Sequence, residues 1–185
     1  MTAHELCPGE TRLFGTESLY GDWGGRVLLL AKDFASSCFV RRRIEGGEPR
    51  PYRHECRMIT NRRLVELARP LEELGLLYGS ALANLLRDDG KITGALPNRA
   101  EALEYGARVL RFVLAHMPAR RWVVCLGDDA WDCATRALGL EGDWRARRES
   151  AEPLGPLVAA FHPAARVSRE RLSKPWKMLE RVERS

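Results

Sequence analysis

The chain predicts an α/β fold, a three-layer sandwich with a four-stranded parallel sheet flanked by helices. Three observations predict it. The stretch Arg26-Val27-Leu28-Leu29-Leu30-Ala31 carries four consecutive aliphatics with no polar break, the pattern of a strand buried on both faces. Three more short apolar runs follow, at 76–82, 122–126 and 157–161. Between successive runs lie segments long enough for helical crossovers, which make neighbouring strands parallel. The chain has 185 residues, enough for one domain with a sizeable core and little room for a second. A single domain over 1–185 is expected.

Taken in order, residues 1–25 read as irregular. Gly15, Gly21, Gly24 and Gly25 punctuate them, and Tyr20-Gly21-Asp22-Trp23-Gly24-Gly25 reads as a loop before the first strand, 26–31. Residues 41–54 hold too many glycines and prolines for regular structure, and loops of this length are often functional. The Arg41-Arg42-Arg43 run inside them reads as a solvated patch. Thr60 or Asn61 can cap a helix running to Gly75, with Leu64, Leu67, Leu71 and Leu74 on one face and Pro70 kinking or splitting it. The second strand is 76–82, and Asp88-Asp89-Gly90 turns the loop after it. A helix over 99–116 carries Ala102, Val109, Leu110 and Val113 at helical spacing. The third strand, 122–126, leads through Gly127 into a helix capped by Asp128 or Asp129. Residues 139–156 read as loop. The fourth strand, 157–161, ends at His162-Pro163. A last helix over 168–184 carries Leu172, Trp176 and Leu179, with Pro175 interrupting it or starting it afresh.

Composition limits the function. Apolar residues make up 45% and charged residues 30% of the chain, ordinary values for a soluble globular protein. No apolar run approaches the about 20 residues of a membrane span. Met1-Thr2-Ala3-His4-Glu5-Leu6 has no basic segment leading into an apolar one, so a cytoplasmic protein is expected. The net charge is +5 with a pI near 9.2, and the cations are mostly arginine, which suits phosphate and bases. Cys7, Cys38, Cys56, Cys125 and Cys133 form no Cys-x-x-Cys pair. They read as free, mostly buried thiols, and neither a metal nor another cofactor is expected.

Two polar residues end two strands. Asp33 follows the first and His162 the fourth. Parallel strands put both on one edge of the sheet, where ligand chemistry gathers in open α/β folds. Taken alone, Asp33 is either a helix cap or an acid of the site. Together the pair marks a candidate cleft.

Three segments carry a family resemblance: Ala31-Lys32-Asp33-Phe34, then Val123-Val124-Cys125-Leu126-Gly127-Asp128-Asp129-Ala130-Trp131, then His162-Pro163-Ala164-Ala165-Arg166. In order and spacing, over about 26–179, the chain resembles the uracil-DNA glycosylase superfamily, its second motif being closest to the single-strand-selective type. The resemblance implies a four-stranded parallel sheet with helices on both sides. It implies that Asp33 positions the attacking water and that His162 donates to the departing base. Lys32 and Phe34 beside the acid would touch substrate. Tyr52, or Phe34, would stack on the flipped base, and Ser80 or Asn84 would stand where the family reads the uracil edge. Ala164, Arg166 and Ser168 would lie against DNA, with Arg166 as the wedge filling the gap in the duplex. The implied partner is uracil-containing DNA, single- or double-stranded, and the protein a monomer without a membrane partner. The chain departs from the family at Ala31 for glycine, Phe34 for proline and Ala164 for serine. It also lacks the cysteine spacing of the iron–sulfur branches.

The chemistry matches these residue types. Breaking an N-glycosidic bond leaves positive charge on the sugar and negative charge on the base. A carboxylate serves the first and a neutral histidine N–H the second. Two other readings stand beside this one. A non-catalytic nucleic-acid-binding relative would keep the fold with the altered motifs. A nucleotide-binding α/β hydrolase would be expected to carry a phosphate loop, and neither Gly-x-x-x-x-Gly-Lys-Ser/Thr nor Gly-x-Gly-x-x-Gly follows a strand.

Overall fold

The computed structural model describes residues 20–32, 59–80 and 98–184. Five strands form one sheet among them: β1 (Tyr20–Gly21), β2 (Val27–Ala31), β3 (Leu76–Ser80), β4 (Trp122–Leu126) and β5 (Leu157–Ala160), in the spatial order β1-β3-β2-β4-β5. The four longer strands are parallel, as expected. The two-residue β1 is a correction: residues read as loop pair antiparallel with β3, Tyr20 opposite Tyr78 and Gly21 opposite Leu77. The helices are α1 (Ile59–Ala68), a 3-10 segment (Arg69–Leu74), α2 (Arg99–Ala115), α3 (Asp128–Leu138), α4 (Trp144–Ser150) and α5 (Arg169–Arg184).

Strand alternation builds the three layers. Leu28 and Leu30 face one side with Leu77, Val123, Cys125, Leu157 and Ala159, covered by α2 and α3. Val27 and Leu29 face the other with Tyr78, Val124, Val158 and Ala160, covered by α1, the 3-10 turn and α5. Each face has one fully buried tryptophan, Trp131 and Trp176 respectively. Cys125 and Cys133 are buried free thiols. Burial pushes the Cys133 thiol up to about 12 and the Cys125 thiol higher still, so both stay protonated.

The breaks in the sequence act where expected, with exceptions. Pro70 coincides with the change from α-helix to 3-10 geometry, and Gly75 ends that turn at φ 70°. Gly75 and Gly25 pass so close that a Cβ on either would strike the other's backbone. Their contact sets β2 against β3, through Arg26 N–H to Leu74 O (2.8 Å) and Val27 N–H to Gly75 O (3.2 Å). Pro175 neither splits nor restarts α5, which is continuous; the lost backbone donor is offset by burial of Leu172, Pro175, Trp176 and Leu179. Neither Asp128 nor Asp129 caps α3. Gly127 holds that position at φ 118°, and the two carboxylates belong to the first turn. The expected loop at 139–156 contains α4. Asp143 caps it by accepting from Ala146 N–H at 2.7 Å, and Trp144 anchors it on the core. Among the described residues, no helix is long and apolar enough to cross a membrane.

At the amino edge of the sheet, α5 ends in a charge lock. The Glu183 carboxylate, 6% exposed, accepts from Trp122 Nε1 (2.7 Å) and pairs with Arg121 (3.0 Å) and Arg26 (3.4 Å). Glu183→Ala strands a buried indole N–H, so it should destabilise by about 1–3 kcal/mol. Glu183→Gln keeps an acceptor and should cost about half as much or less. Urea unfolding curves of the two variants check the order.

Candidate active site

The carboxyl ends of β2, β4 and β5 lie side by side. The chain leaves β2 towards β3 on one side, crosses back, and continues from β4 to β5 on the other. The topological switch therefore falls between β2 and β4, where open α/β sheets form their crevice. Lys32 follows β2 and Gly127 follows β4. Gly127 N–H donates to Ala160 O at 3.2 Å, tying the turn after β4 to the end of β5. Among the described residues, a Cβ built on Gly127 would meet nothing within 4 Å.

Lys32 Nζ lies 3.4 Å from Asp129 Oδ2, their side chains 27% and 13% exposed. The other Asp129 oxygen accepts from Arg99 Nε at 2.8 Å. Arg99, the first residue of α2, also bonds Asp132 on α3. The Asp132 hydrogen bond, followed by the one to Asp129, raises the guanidinium above its ordinary pKa. The end of β2 and the starts of α2 and α3 thus bring together fixed, alternating charges.

His162 stands on the same edge. With β4 between β2 and β5, Lys32 and His162 spring from points about two strand spacings, roughly 10 Å, apart. The exposed imidazole accepts from Ala164 N–H at Nδ1 (3.2 Å), and the His162 carbonyl accepts from Ala165 N–H (2.8 Å). A neutral ring held this way carries its proton on Nε2. The loop is braced from outside: Arg63 of α1 donates to Pro163 O at 3.2 Å. Behind it, Phe161 is buried beneath two guanidinium groups, with Arg148 at 4.2 Å and Arg171 at 5.2 Å from its ring centre. Arg148 also covers Trp144 at 4.2 Å, and Glu149 ties Arg148 to Arg171. Those arginines, Arg171 above all, hold the Glu149 carboxyl below its usual range.

Among the sequence-predicted residues, Lys32, His162, Ala164, Arg166 and Ser168 are described, and all lie at this carboxyl edge or on the chain leading from it into α5. Arg166 is exposed. Ser168 has a capping role, its Oγ accepting from Arg171 N–H at 3.3 Å. Ser80 ends β3 opposite Ala31. Asp33, Phe34, Tyr52 and Asn84 lie outside the described residues. Sequence reasoning missed Arg63, Arg99 and Arg148, for which no local pattern speaks. It read Asp129 only as a possible cap, although an acid two residues after the glycine that follows β4 could have been placed at the carboxyl edge. Among the described residues, no three His, Cys, Asp or Glu side chains are grouped to hold a metal ion. No protein-family model matches the sequence, and no curated protein matches it.

The Arg63 brace predicts a local effect. Arg63→Ala should speed hydrogen exchange at the Ala164 and Ala165 amides while leaving Val123–Val124 protected. Equal protection in variant and parent would mean that the loop holds without Arg63. The loss of one such bond typically costs about 1 kcal/mol.

Proposed function

We propose that the protein is a monofunctional DNA glycosylase that extrudes uracil, or a related damaged base, and hydrolyses its N-glycosidic bond. The observation that carries the reading is the His162-Pro163 loop. It sits at the carboxyl end of β5, on the edge where β2 delivers Lys32. Its Nδ1 is occupied as an acceptor, which suits a neutral imidazole donating from Nε2. In this reading the bond from sugar C1′ to base nitrogen breaks, with the electron pair leaving on the base. His162 stabilises the anion forming on the base carbonyl. Asp33 faces the cationic sugar and orients the water that adds to C1′. Arginine contacts to phosphate give non-specific affinity, and Tyr52 or Phe34 stacks on the extruded base. The protein would act as a cytoplasmic monomer. The replacements at Ala31, Phe34 and Ala164 favour a second reading, a DNA-binding relative without the chemistry.

Incubation with uracil-bearing oligonucleotides, followed by alkaline cleavage, separates the two. The expected result is strand breakage only after alkali. DNA binding without base release would establish the second reading. Asp33→Asn should lower turnover at least about tenfold with binding preserved, since a positioned acid–base group contributes about 10²–10⁴.

Arg166 is the proposed wedge. Extruding a base costs a few kcal/mol in duplex and least from single strands. Arg166→Ala should therefore slow excision of paired uracil far more than of unpaired uracil. Single-turnover rates on both substrates measure this, and equal losses would exclude the wedge.

A further inference from the structure

Resting on the glycosylase reading, we infer that Arg148, Arg171 and Glu149 fix both ends of the His162 loop, with Arg148 as the positioning residue through which helix α4 sets the imidazole. The loop runs from the end of β5 to the start of α5 and carries both His162 and Arg166. Its entry is Phe161, buried directly before His162. Its exit is Ser168, whose Oγ accepts from Arg171 N–H at 3.3 Å. Arg171 serves both ends, because its guanidinium also lies 5.2 Å from the centre of the Phe161 ring. Arg148 lies against two rings, 4.2 Å from the centre of Trp144 and 4.2 Å from that of Phe161. The rings themselves meet edge-on, at 72°. One oxygen of Glu149 accepts from both guanidinium groups, and the Glu149 carbonyl accepts from Lys174 on α5. Entry, exit and helix α4 are thus one linked unit.

The consequence for His162 is a matter of register. Phe161 sets the direction in which the chain leaves β5, and so the point from which the imidazole starts. Ala164 N–H must then meet Nδ1, as it does at 3.2 Å. A shift of the loop's entry against Ala164 breaks that bond and frees the ring to take either tautomer. The proton on Nε2 is what a departing base carbonyl needs, and a misplacement of about 1 Å can cost about 100-fold in rate. Arginine suits this task because its guanidinium is flat and stacks on aromatic faces, whereas a lysine ammonium is a compact charge on a flexible stem. The competing account makes Arg148 and Arg171 contacts to DNA phosphate. Glu149 argues against it, because a carboxylate bonded to both guanidinium groups repels a phosphate brought to them.

The test records ¹⁵N spectra of the imidazoles in the full chain at about pH 8, where histidine is ordinarily neutral. The His162 signals are assigned by their loss in His162→Gln. The parent should show the ring protonated on Nε2 alone. Arg148→Lys keeps the charge and loses the plane; Glu149→Gln keeps the shape and loses the charge that two arginines share. Both should give a mixture of the two tautomers at His162. Both should also slow single-turnover uracil release, Arg148→Lys at least tenfold, with affinity for a uracil-free oligonucleotide changed less than threefold. Phosphate contact gives a different pattern: a parent-like ring, with affinity lowered in Arg148→Lys and raised in Glu149→Gln. A parent-like ring in either variant overturns the positioning role, and so does a mixed ring that releases uracil at the parent's rate. Glu149 is exposed, so Glu149→Gln decides the matter if Arg148→Lys does not fold. Parent protein that releases no uracil overturns the glycosylase reading, and the ring signals then decide by themselves whether Arg148 and Glu149 set the imidazole.

Discussion

The structure depends on the burial of β2 from both sides. Val27, Leu28, Leu29 and Leu30 have almost no solvent exposure, and no polar side chain interrupts them. Such a strand is stable only with helices over both faces, and each face must be filled by crossovers from its neighbours. Here α2 and α3 cover one face, and α1 with α5 covers the other. Parallel crossovers bring the four longer strands back in the same direction. The carboxyl ends therefore collect on one edge as a consequence of how the core is built. Residues far apart in sequence, such as Lys32 and His162, come to share that edge.

On that edge, the backbone holds the polar groups as much as side chains do. Ala164 and Ala165 direct their N–H groups at His162, and Arg63 takes the Pro163 carbonyl. A backbone donor at position 164 does not depend on which side chain stands there, so an alanine serves this part of the imidazole's setting. Beneath the loop, Phe161 is clamped by Arg148 and Arg171, which Glu149 joins. Helix α4 thus forms part of the support for the His162 loop.

Charge is distributed differently at the two ends of the sheet. At the amino edge Glu183 gathers Trp122, Arg121 and Arg26 and is nearly withdrawn from water. That arrangement fastens the C-terminal helix. At the carboxyl edge the alternating set Lys32, Asp129, Arg99 and Asp132 remains partly exposed. Groups that keep some contact with solvent can exchange it for contact with a ligand, whereas the buried Glu183 has less to exchange.

The sequence by itself determined the four longer strands and their direction. The uninterrupted run at 27–30 suited a doubly covered strand, and helical spacing at Ala102, Val109, Leu110 and Val113 named the buried face of α2. It also placed His162 at a strand end, because a strand's last apolar residue is a local signal. It was less informative where local preference and packing disagree. Residues 139–156 read as loop from their glycines and prolines, yet Asp143 and the core contact of Trp144 support α4. Pro175 marks a break, yet burial of one face keeps α5 whole. Only the tertiary structure decided the strand order β3-β2-β4-β5 and with it the switch point. Only it brought Asp129 to Lys32, Arg99 to Asp129 and Arg63 to Pro163. The physical reason is sequence distance. Periodicity reports which face of an element is apolar, but a pairing between polar side chains tens of residues apart leaves no periodic trace and forms only after the sheet has set its strands in order.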